Sequence, residues 1–292
     1  MSQELDVSIL IPVYNEEQAI KGIIDQVSSV MQKEKYSYEV LIVDDASDDK
    51  TREEVAKTNA RLVKRSSRGG AGAARKTGIR AALGKIVVML DGDGSYEIND
   101  IPKMLAFFPE YDQVNGARTS EQGTLKYLRA PAKWFIRKLA CYLTDTNIPD
   151  LNTGLKAFKK DIMLRYLWVV PNGFSCVTTM TLAFLCNGHS VKYIPTSYYP
   201  RIGQSKFHPV KDTYQYFLTV VRMVTYFNPL KIFLPMSFGL FLIGIAKSLY
   251  DFFFVIGRLQ QSDIIILLAS VMIFSLGLLA DLIVAQSRQH SG

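Results

Sequence analysis

The stretch "VVMLDGDGSYEIND" (Val87 to Asp100) runs from a row of apolar residues directly into two carboxylates, Asp91 and Asp93. Its first part has the composition of a strand that is buried on both faces, which is typical of parallel sheets in α/β proteins. A carboxylate at the end of a buried strand is costly unless solvent, a cation or a hydrogen-bond donor satisfies it. The stretch therefore predicts a parallel sheet with a polar site at one edge.

Two apolar runs upstream end in the same way. "VSILIPV" leads into "YNEE" and "YEVLIV" leads into "DDAS", with amphipathic helical patterns between the apolar runs. Short apolar strands that alternate with helices predict a mostly parallel sheet. Ligands of such sheets bind at the carboxyl ends of the strands. The simplest prediction is one ligand pocket that the three polar clusters share.

The composition leaves several classes of ligand open. The chain has 292 residues, of which 48% are hydrophobic, and a net charge of +7. The apolar content is ample for a packed core, and the positive charge suits nucleic acid, an anionic membrane surface or phosphorylated ligands. Cys141, Cys176 and Cys186 match no metal-ligand spacing, so we expect reduced thiols in the cytosol. The polar, acidic start indicates no signal peptide and a cytoplasmic N-terminus.

Two long apolar segments occupy the last part of the chain, Ile232 to Ile256 and Ile264 to Ala285. Each is long enough to cross about 30 Å of hydrocarbon at about 1.5 Å per residue. They predict two transmembrane helices joined by the short turn "GRLQQSD", because the rest of the chain is too small to cover them as a buried hairpin. Lys247 and Asp251 lie four residues apart and could pair. Together with Asp281, they indicate a functional site, an internal ion pair or side chains that snorkel to the outer interface.

The segments ahead of the apolar pair are basic and aromatic. Residues 201–231 carry five Lys or Arg residues and a single Asp, which predicts that the large domain lies inside the cell. A basic amphipathic helix near 124–143 is expected at the membrane surface, with an ordinary solvated helix as the alternative. The predicted organisation is a catalytic domain over 1–207, an interfacial helix over 208–230 and a transmembrane hairpin over 231–287.

Five motifs follow one another along the chain: "PVYNEE", "DDASDDKT", "GAGAARKTGIRAALGKIVVMLDGDG", "DLNTGLKAFKKD" and "RIGQSK". In this order they resemble the family 2 glycosyltransferases, and more closely the polyprenyl-phosphate branch that includes dolichol-phosphate mannose synthase. The resemblance covers residues 5 to 230. It implies an α/β fold, a GT-A-type Rossmann-like domain with a mostly parallel sheet, plus interfacial amphipathic helices and two C-terminal transmembrane helices.

The implied reaction is inverting transfer of one sugar from a UDP- or GDP-hexose to undecaprenyl or dolichyl phosphate at the cytoplasmic face. The nucleotide leaves as a diphosphate, so a divalent cation between it and the carboxylates would stabilise the developing charge. Carboxylate oxygens suit Mg²⁺ or Mn²⁺. Asp93 is the best candidate metal ligand, and Asp91 lies beside it or on the ribose side of the nucleotide.

In the resembling family, the first two clusters and the glycine-rich segment face the nucleotide. This implies donor-binding roles for Pro12, Tyr14, Asn15, Glu16, Asp44, Asp45 and Gly70. As alternatives, Asp45 and Ser47 could cap a helix that begins near Asp49, and the glycines could form a flexible turn. Ala71 stands where the family often has lysine, and Ser95 stands where it has glutamine beside the metal.

The resemblance also implies an acceptor site. Asp150 matches an acid with a base or positioning role, and we favour positioning because a phosphate monoester is already ionised at neutral pH. Arginine suits phosphate through its planar fork. The implied phosphate-binding residues are Arg118, Arg129, Arg201, Ser205 and Lys206, and Arg201 is counted as catalytic with Asp91, Asp93 and Asp150. Alone, each of these cations could be solvated or could bind lipid head groups.

Other functions are kept as alternatives. One is transfer to another membrane lipid or to a glycan, and another is a catalytically silent membrane partner that binds nucleotide sugar. Nucleic-acid binding is the weakest option, because the basic residues lie near membrane-type aromatics. The three histidines have no zinc-site spacing. Oligomers occur in the resembling branch, so a homo-oligomer is compatible with it. The sequence does not decide the donor sugar.

Overall fold

The computed structural model describes residues 5–119, 134, 137–173, 175–200, 209–255 and 257–289. The chain divides into two compact units, Met1–Val220 and Val221–Gly292. The first unit contains a sheet with helices, and the second is helical. The predicted residues Arg129, Arg201, Ser205 and Lys206, and most of the predicted basic helix, lie outside the described residues.

A single mixed sheet forms the centre of the first unit. Across the described residues its strands are β1 Leu5–Val13, β2 Tyr38–Asp44, β3 Arg61–Lys64, β4 Gly84–Met89, β5 Gln113–Arg118, β6 Lys156–Lys159 and β7 Val191–Thr196. Their order in the sheet is β3-β2-β1-β4-β6-β5-β7. Only β6 runs antiparallel to its neighbours among these seven strands. The prediction of a mostly parallel α/β sheet is therefore confirmed.

Helices cover both faces of this sheet. They are α1 Ile20–Met31, α2 Thr51–Ala56, α3 Ala71–Ala81, α4 Asp100–Leu105, α5 Lys160–Tyr166 and α6 Cys176–Cys186. On one face Ile9 of β1 belongs to the same buried cluster as Ile24 of α1 and Ile101 of α4. On the other face Leu10 shares a buried cluster with Ile79 of α3 and Phe184 of α6. Consecutive residues of β1 thus pack into the cores on opposite faces of the sheet, which explains why the strands are continuously apolar.

The direction of the strands places several chain segments at one edge of the sheet. The carboxyl ends of β1, β2, β4, β5 and β7 lie there, because these strands share one direction. The antiparallel strand β6 begins at the same edge, so the segment that precedes it, with Asp150, arrives there too. The three polar clusters and Asp150 therefore belong to one edge.

The second unit contains two long apolar helices. Helix α7, Pro209–Phe227, begins in the first unit and ends in the second. Helix α8 spans Leu230–Tyr250 and continues as a π-helical segment over Asp251–Val255, and α9 spans Gln261–Gln289. Leu230–Val255 and Gln261–Gln286 are each long and apolar enough to cross a membrane. In each, 17% of the apolar window is buried, far less than the core helix of a soluble protein would show.

The turn between α8 and α9 is shorter than predicted. Helix α9 begins at Gln261, three residues before the predicted apolar segment, and the N–H of Gln260 donates to Asp263 Oδ2 over 2.8 Å. The predicted pair of Lys247 and Asp251 is confirmed by a contact of 2.6 Å between Nζ and Oδ2. Lys247 Nζ also lies 2.6 Å from Asp263 Oδ1. The charge in the first apolar helix is therefore part of an internal ion cluster.

Candidate active site

The turn after β4 holds the two carboxylates of the opening stretch. Asp93 is 9% exposed, and its Oδ1 accepts hydrogen bonds from the N–H and the hydroxyl of Ser95, at 3.1 and 2.5 Å. Gly94 makes the turn possible with a φ of +71°, in the region that favours glycine. Ser95, which departs from the residue expected by resemblance, thus orients the Asp93 carboxylate from within the turn.

Asp91 is held by a buried arginine. Arg75 of α3 is 4% exposed, its Nη2 donates to Asp91 Oδ1, and its Nη1 lies 2.9 Å from Cys176 Sγ. The Nε of Arg75 is buried without a hydrogen-bond partner in the part of the chain that the structure describes. A fixed cation therefore sets the orientation of Asp91.

The loop before β6 packs directly on Asp91. A Cβ added to Gly154 would lie 2.4 Å from Asp91 Oδ2, which is a collision. The N–H of Gly154 donates to the hydroxyl of Tyr96 over 2.6 Å, and burial raises the pKa of Tyr96. A side chain at position 154 would therefore have to displace the Asp91 carboxylate.

Asp150 and Arg118 form a two-pronged ion pair at the end of β5. Arg118 Nε lies 2.7 Å from Asp150 Oδ2, and Arg118 Nη2 lies 2.9 Å from Asp150 Oδ1. Burial alone would raise the pKa of Asp150, but the hydrogen bonds and the charge of Arg118 outweigh it and hold the pKa below its usual value. The Arg118 guanidinium also lies 5.3 Å from the centre of the Tyr198 ring. Asp150 is thus ionised at neutral pH, and Arg118 binds both of its carboxylate oxygens.

The two aspartates after β2 are satisfied within the chain. Asp44 is completely buried and accepts hydrogen bonds from Arg52 Nε, at 2.6 Å, and from the N–H of Ser47, at 3.1 Å. Asp45 accepts from Arg65 Nε at 2.8 Å and from the N–H groups of Gly69 and Gly70. The Gly70 N–H is thus directed at Asp45, and the predicted nucleotide contacts of Asp44, Asp45 and Gly70 stay predictions.

Hydrogen bonds tie the cluster after β1 to the one after β2. The N–H of Asn15 donates to Ser47 Oγ at 3.0 Å, and the N–H of Glu16 donates to Thr51 Oγ1 at 2.9 Å. Arg68 lies over the Tyr14 ring at 4.0 Å, and Pro12 lies in β1 opposite Val43.

The capping alternative for the second cluster is wrong. Helix α2 begins at Thr51, and the N–H of Thr51 is bound by the side chain of Asp49 at 2.9 Å. Asp45 and Ser47 make other contacts, with Arg65 and Asn15 respectively.

Three residues of this edge were missed by the sequence reasoning: Arg75, Gly154 and Tyr198. A signal for Arg75 exists, because it lies on the face of α3 that also buries Gly72 and Ile79, three residues before and four after. An arginine on the apolar face of a short helix indicates a buried ion pair. Gly154 and Tyr198 have no comparable signal, since their contacts depend on the tertiary arrangement.

The carboxylates of the opening stretch are suited to a divalent cation whose coordination the substrate would complete. In the described ranges there is no group of three or more His, Cys, Asp or Glu residues that could hold a metal. Mg²⁺ in nucleotide sites is commonly bound by one or two carboxylates together with substrate phosphates and water. Asp91 and Asp93, each oriented through its Oδ1, meet that requirement.

Two family models match this chain. Residues 8–167, more than half of the chain, match the model of the glycosyl transferase family 2. The chain belongs to this family. Residues 228–285 match a second model, the GtrB C-terminal hairpin. Both the predicted resemblance and the predicted fold are thereby confirmed.

Several curated relatives of this family 2 glycosyltransferase align over most of its length. Glycosyltransferase AglJ of Haloferax volcanii is 29% identical over 97% of this chain and 95% of its own. Dolichyl-phosphate hexose transferase of the same organism is 28% identical over 70% and 87%. Dodecaprenyl-phosphate galacturonate synthase of Rhizobium johnstonii is 24% identical over 96% and 88%.

A solved structure shares the fold of the first unit. Glucosyl-3-phosphoglycerate synthase from Mycobacterium tuberculosis, in complex with Mn²⁺, UDP and glucosyl-3-phosphoglycerate, has a TM-score of 0.59. It is 17% identical, and the match covers 75% of this chain and 80% of that one. At this identity the likeness shows the GT-A-like fold alone.

Proposed function

We propose that this glycosyltransferase is a metal-dependent enzyme that moves one hexose from a nucleotide-diphosphate sugar to a polyprenyl phosphate, with inversion at the anomeric carbon. Relatives named for dolichyl-phosphate and dodecaprenyl-phosphate reactions support this kind of reaction. The observation that carries the proposal is the Arg118–Asp150 pair, which lies at the same edge of the sheet as Asp91 and Asp93.

On the donor side, we assign Asp91 and Asp93 to the diphosphate end of the nucleotide sugar. A bound Mg²⁺ or Mn²⁺ would neutralise the charge that develops on the leaving diphosphate. Arg75 and Ser95 keep the two carboxylates oriented. The clusters after β1 and β2 would receive the nucleotide.

On the acceptor side, Arg118 has unused donors. Its Nε and Nη2 bind Asp150, while Nη1 has no hydrogen bond to any described residue. A guanidinium held in this way is preorganised to bind a phosphate oxygen. A lowered pKa makes Asp150 a poor general base at neutral pH. A phosphate acceptor, already ionised, needs no such base, which favours it over a neutral hydroxyl.

The location of the reaction is part of the proposal. Two largely exposed apolar helices and the match to the GtrB hairpin support insertion in the bilayer. The excess of Lys and Arg over residues 201–231 favours the cytoplasmic side for the catalytic domain. The predicted domain limits, 1–207, 208–230 and 231–287, are kept within this proposal, as are Arg129, Arg201, Ser205 and Lys206 as acceptor-site residues.

The test is a transfer assay with purified protein in detergent. Radiolabelled UDP- and GDP-hexoses are supplied one at a time with undecaprenyl or dolichyl phosphate, and with Mg²⁺, Mn²⁺ or a chelator. We expect a labelled lipid that forms only with a divalent cation. Asp93→Asn should abolish it, while Asp25→Asn, in an exposed pair with Lys21 on α1, should not. Failure of the wild type with every donor and both lipids would overturn the proposal.

A further inference from the structure

A completely buried lysine lies at the centre of the sheet. Lys156 is in β6, and its Nζ donates to Thr181 Oγ1 at 2.6 Å and to Asn115 Oδ1 at 3.3 Å. Both partners are neutral, and no carboxylate contacts this ammonium group within the described ranges. Gln113 extends the buried network through its own hydrogen bond to Asn115, at 2.8 Å.

An ammonium group in such surroundings holds its proton weakly. Removing a charge from water is costly when no opposite charge contacts it, and the usual response is loss of the proton. Burial is the main cause that lowers the pKa of Lys156, to about 7. The charged or titratable groups that act on it from the surrounding elements are Asp150 before β6, Arg118 of β5, Arg75 of α3 and Cys176 of α6. The buried hydroxyl of Tyr193 lies on β7.

Lys156 is close enough to the Arg118–Asp150 pair to respond to a charge there. In the sheet Lys156 is opposite Asn115, and Arg118 is three residues further along β5, so about 10 Å of strand, at about 3.3 Å per residue, separates the two backbone positions. The charges of Asp150 and Arg118 both act on the Lys156 ammonium group. At that distance and an effective dielectric constant of about 20, a unit charge changes a proton-binding constant on the order of ten-fold. Lys156 is completely buried and the Arg118–Asp150 pair is largely buried, so salt screens this effect less than it would at the surface.

We propose that Lys156 is a positioning residue of the acceptor site, which takes up a proton when an acceptor phosphate binds at Arg118 and releases it after the sugar is transferred. The inference rests on the proposed function. In the transfer, a phosphate oxygen forms the bond to the anomeric carbon, and the nucleoside diphosphate leaves with the bonding electrons. The acceptor monoester carries about two negative charges and the product diester carries one. Protonated Lys156 therefore favours binding of the substrate over the product.

The first test concerns Lys156 alone and needs no activity. Above pH 7 the folded protein has lost this proton, whereas the unfolded chain keeps it until about pH 10.4, so unfolding takes up a proton and stability rises with pH in this window. Lys156→Met should remove that contribution. The control is Lys159→Met, on the same strand but partly exposed and paired with Asp112.

We expect the difference in melting temperature between wild type and Lys156→Met to change by about 5 °C between pH 7 and 9. The Lys159→Met variant should keep the wild-type slope. Parallel curves for wild type and Lys156→Met would overturn the inference at this step, whatever the protein catalyses.

The second test measures the KM for polyprenyl phosphate between pH 7 and 9. The wild type should show a rise in KM on the order of ten-fold, as Lys156 loses its proton. Lys156→Met should show a high and flat KM, and Lys156→Arg, which stays charged, a low and flat one. Equal profiles for all three would overturn the coupling. No transfer by any of them, with the stability slopes as expected, would instead count against the proposed function.

Discussion

Each of the two units contains a buried charge cluster, and the clusters differ in how completely their hydrogen bonds are satisfied. Arg118 at the sheet edge gives Nε and Nη2 to Asp150 and keeps Nη1 unused among the described residues. Lys247 in the hairpin directs its ammonium group to Asp251, Asp263 and Ser262, which uses all three of its protons. The first cluster retains capacity for a ligand, and the second joins two helices.

This difference separates a candidate site from a structural device more sharply than burial does. Asp263 of the hairpin is completely buried, and the side chain of Asp150 is 12% exposed. Of these two clusters, only the Arg118–Asp150 pair keeps unused donors among the residues that the structure describes. A buried ion pair is by itself weak evidence of stabilisation or of function. We therefore expect substitutions in the two clusters to affect transfer and stability differently.

The largest effect is expected from Arg118→Lys. Lysine keeps the charge but lacks the planar fork, so it cannot bind Asp150 twice and still face a phosphate. We expect kcat/KM for polyprenyl phosphate to fall by about 100-fold or more, while binding of the nucleotide sugar is retained. The matched control, Arg80→Lys on the exposed side of α3, should leave transfer unchanged.

The hairpin cluster should respond in the opposite way. Lys247→Met leaves Asp251 and Asp263 buried without their cation, so thermal unfolding in detergent should begin several degrees lower. Protein that remains folded should retain its transfer activity. Replacing the two aspartates by asparagine in the same variant should restore most of the lost stability. Loss of transfer at unchanged stability would show that this cluster is functional, and would break the comparison.

An intermediate effect is expected from Asp150→Asn. The variant loses the ion pair that orients Arg118, so transfer should drop by roughly 10- to 100-fold. At saturating polyprenyl phosphate the protonation of Lys156, which affects KM, does not influence the rate. Because the pKa of Asp150 is held below its usual value, the loss under these conditions should be the same at every pH from 6 to 8. Activity that recovers at high pH would indicate that Asp150 serves as a base for a neutral acceptor. A pH series of initial rates distinguishes the two outcomes.

A smaller effect is expected from Gly154→Ala, which tests the donor side of the edge. The added Cβ would meet Asp91 Oδ2 at 2.4 Å, so the carboxylate must move. We expect the Mn²⁺ concentration that gives the half-maximal rate to rise about ten-fold. Gly22→Ala is the control, because a Cβ there meets nothing within 4 Å. Equal metal dependence in both variants would place the cation away from Asp91.

The sequence predicted the parts of these clusters that depend on local spacing. Asp91 and Asp93 follow from an apolar strand that ends in acids, and the Lys247–Asp251 pair follows from helical periodicity. The sequence reasoning did not identify Asp263 as a third member, because α9 begins earlier than the apolar pattern indicates.

The remaining site residues depend on how the sheet is assembled. The antiparallel strand β6 places Lys156 between β4 and β5 and brings the Asp150 segment to the carboxyl edge. A single antiparallel strand of four residues leaves no distinct periodicity in the sequence. The contacts of Gly154 and Lys156 follow from that topology, which is why motif order alone did not predict them.

Two lipids that differ only in their phosphate group test whether the acceptor is a phosphate bound at Arg118. Wild-type protein is given one labelled nucleotide sugar, Mn²⁺, and either undecaprenyl phosphate or undecaprenol, which differ only in the phosphate. We expect labelled lipid with undecaprenyl phosphate and none with undecaprenol. Equal transfer to both lipids, or transfer to the alcohol alone, would contradict it.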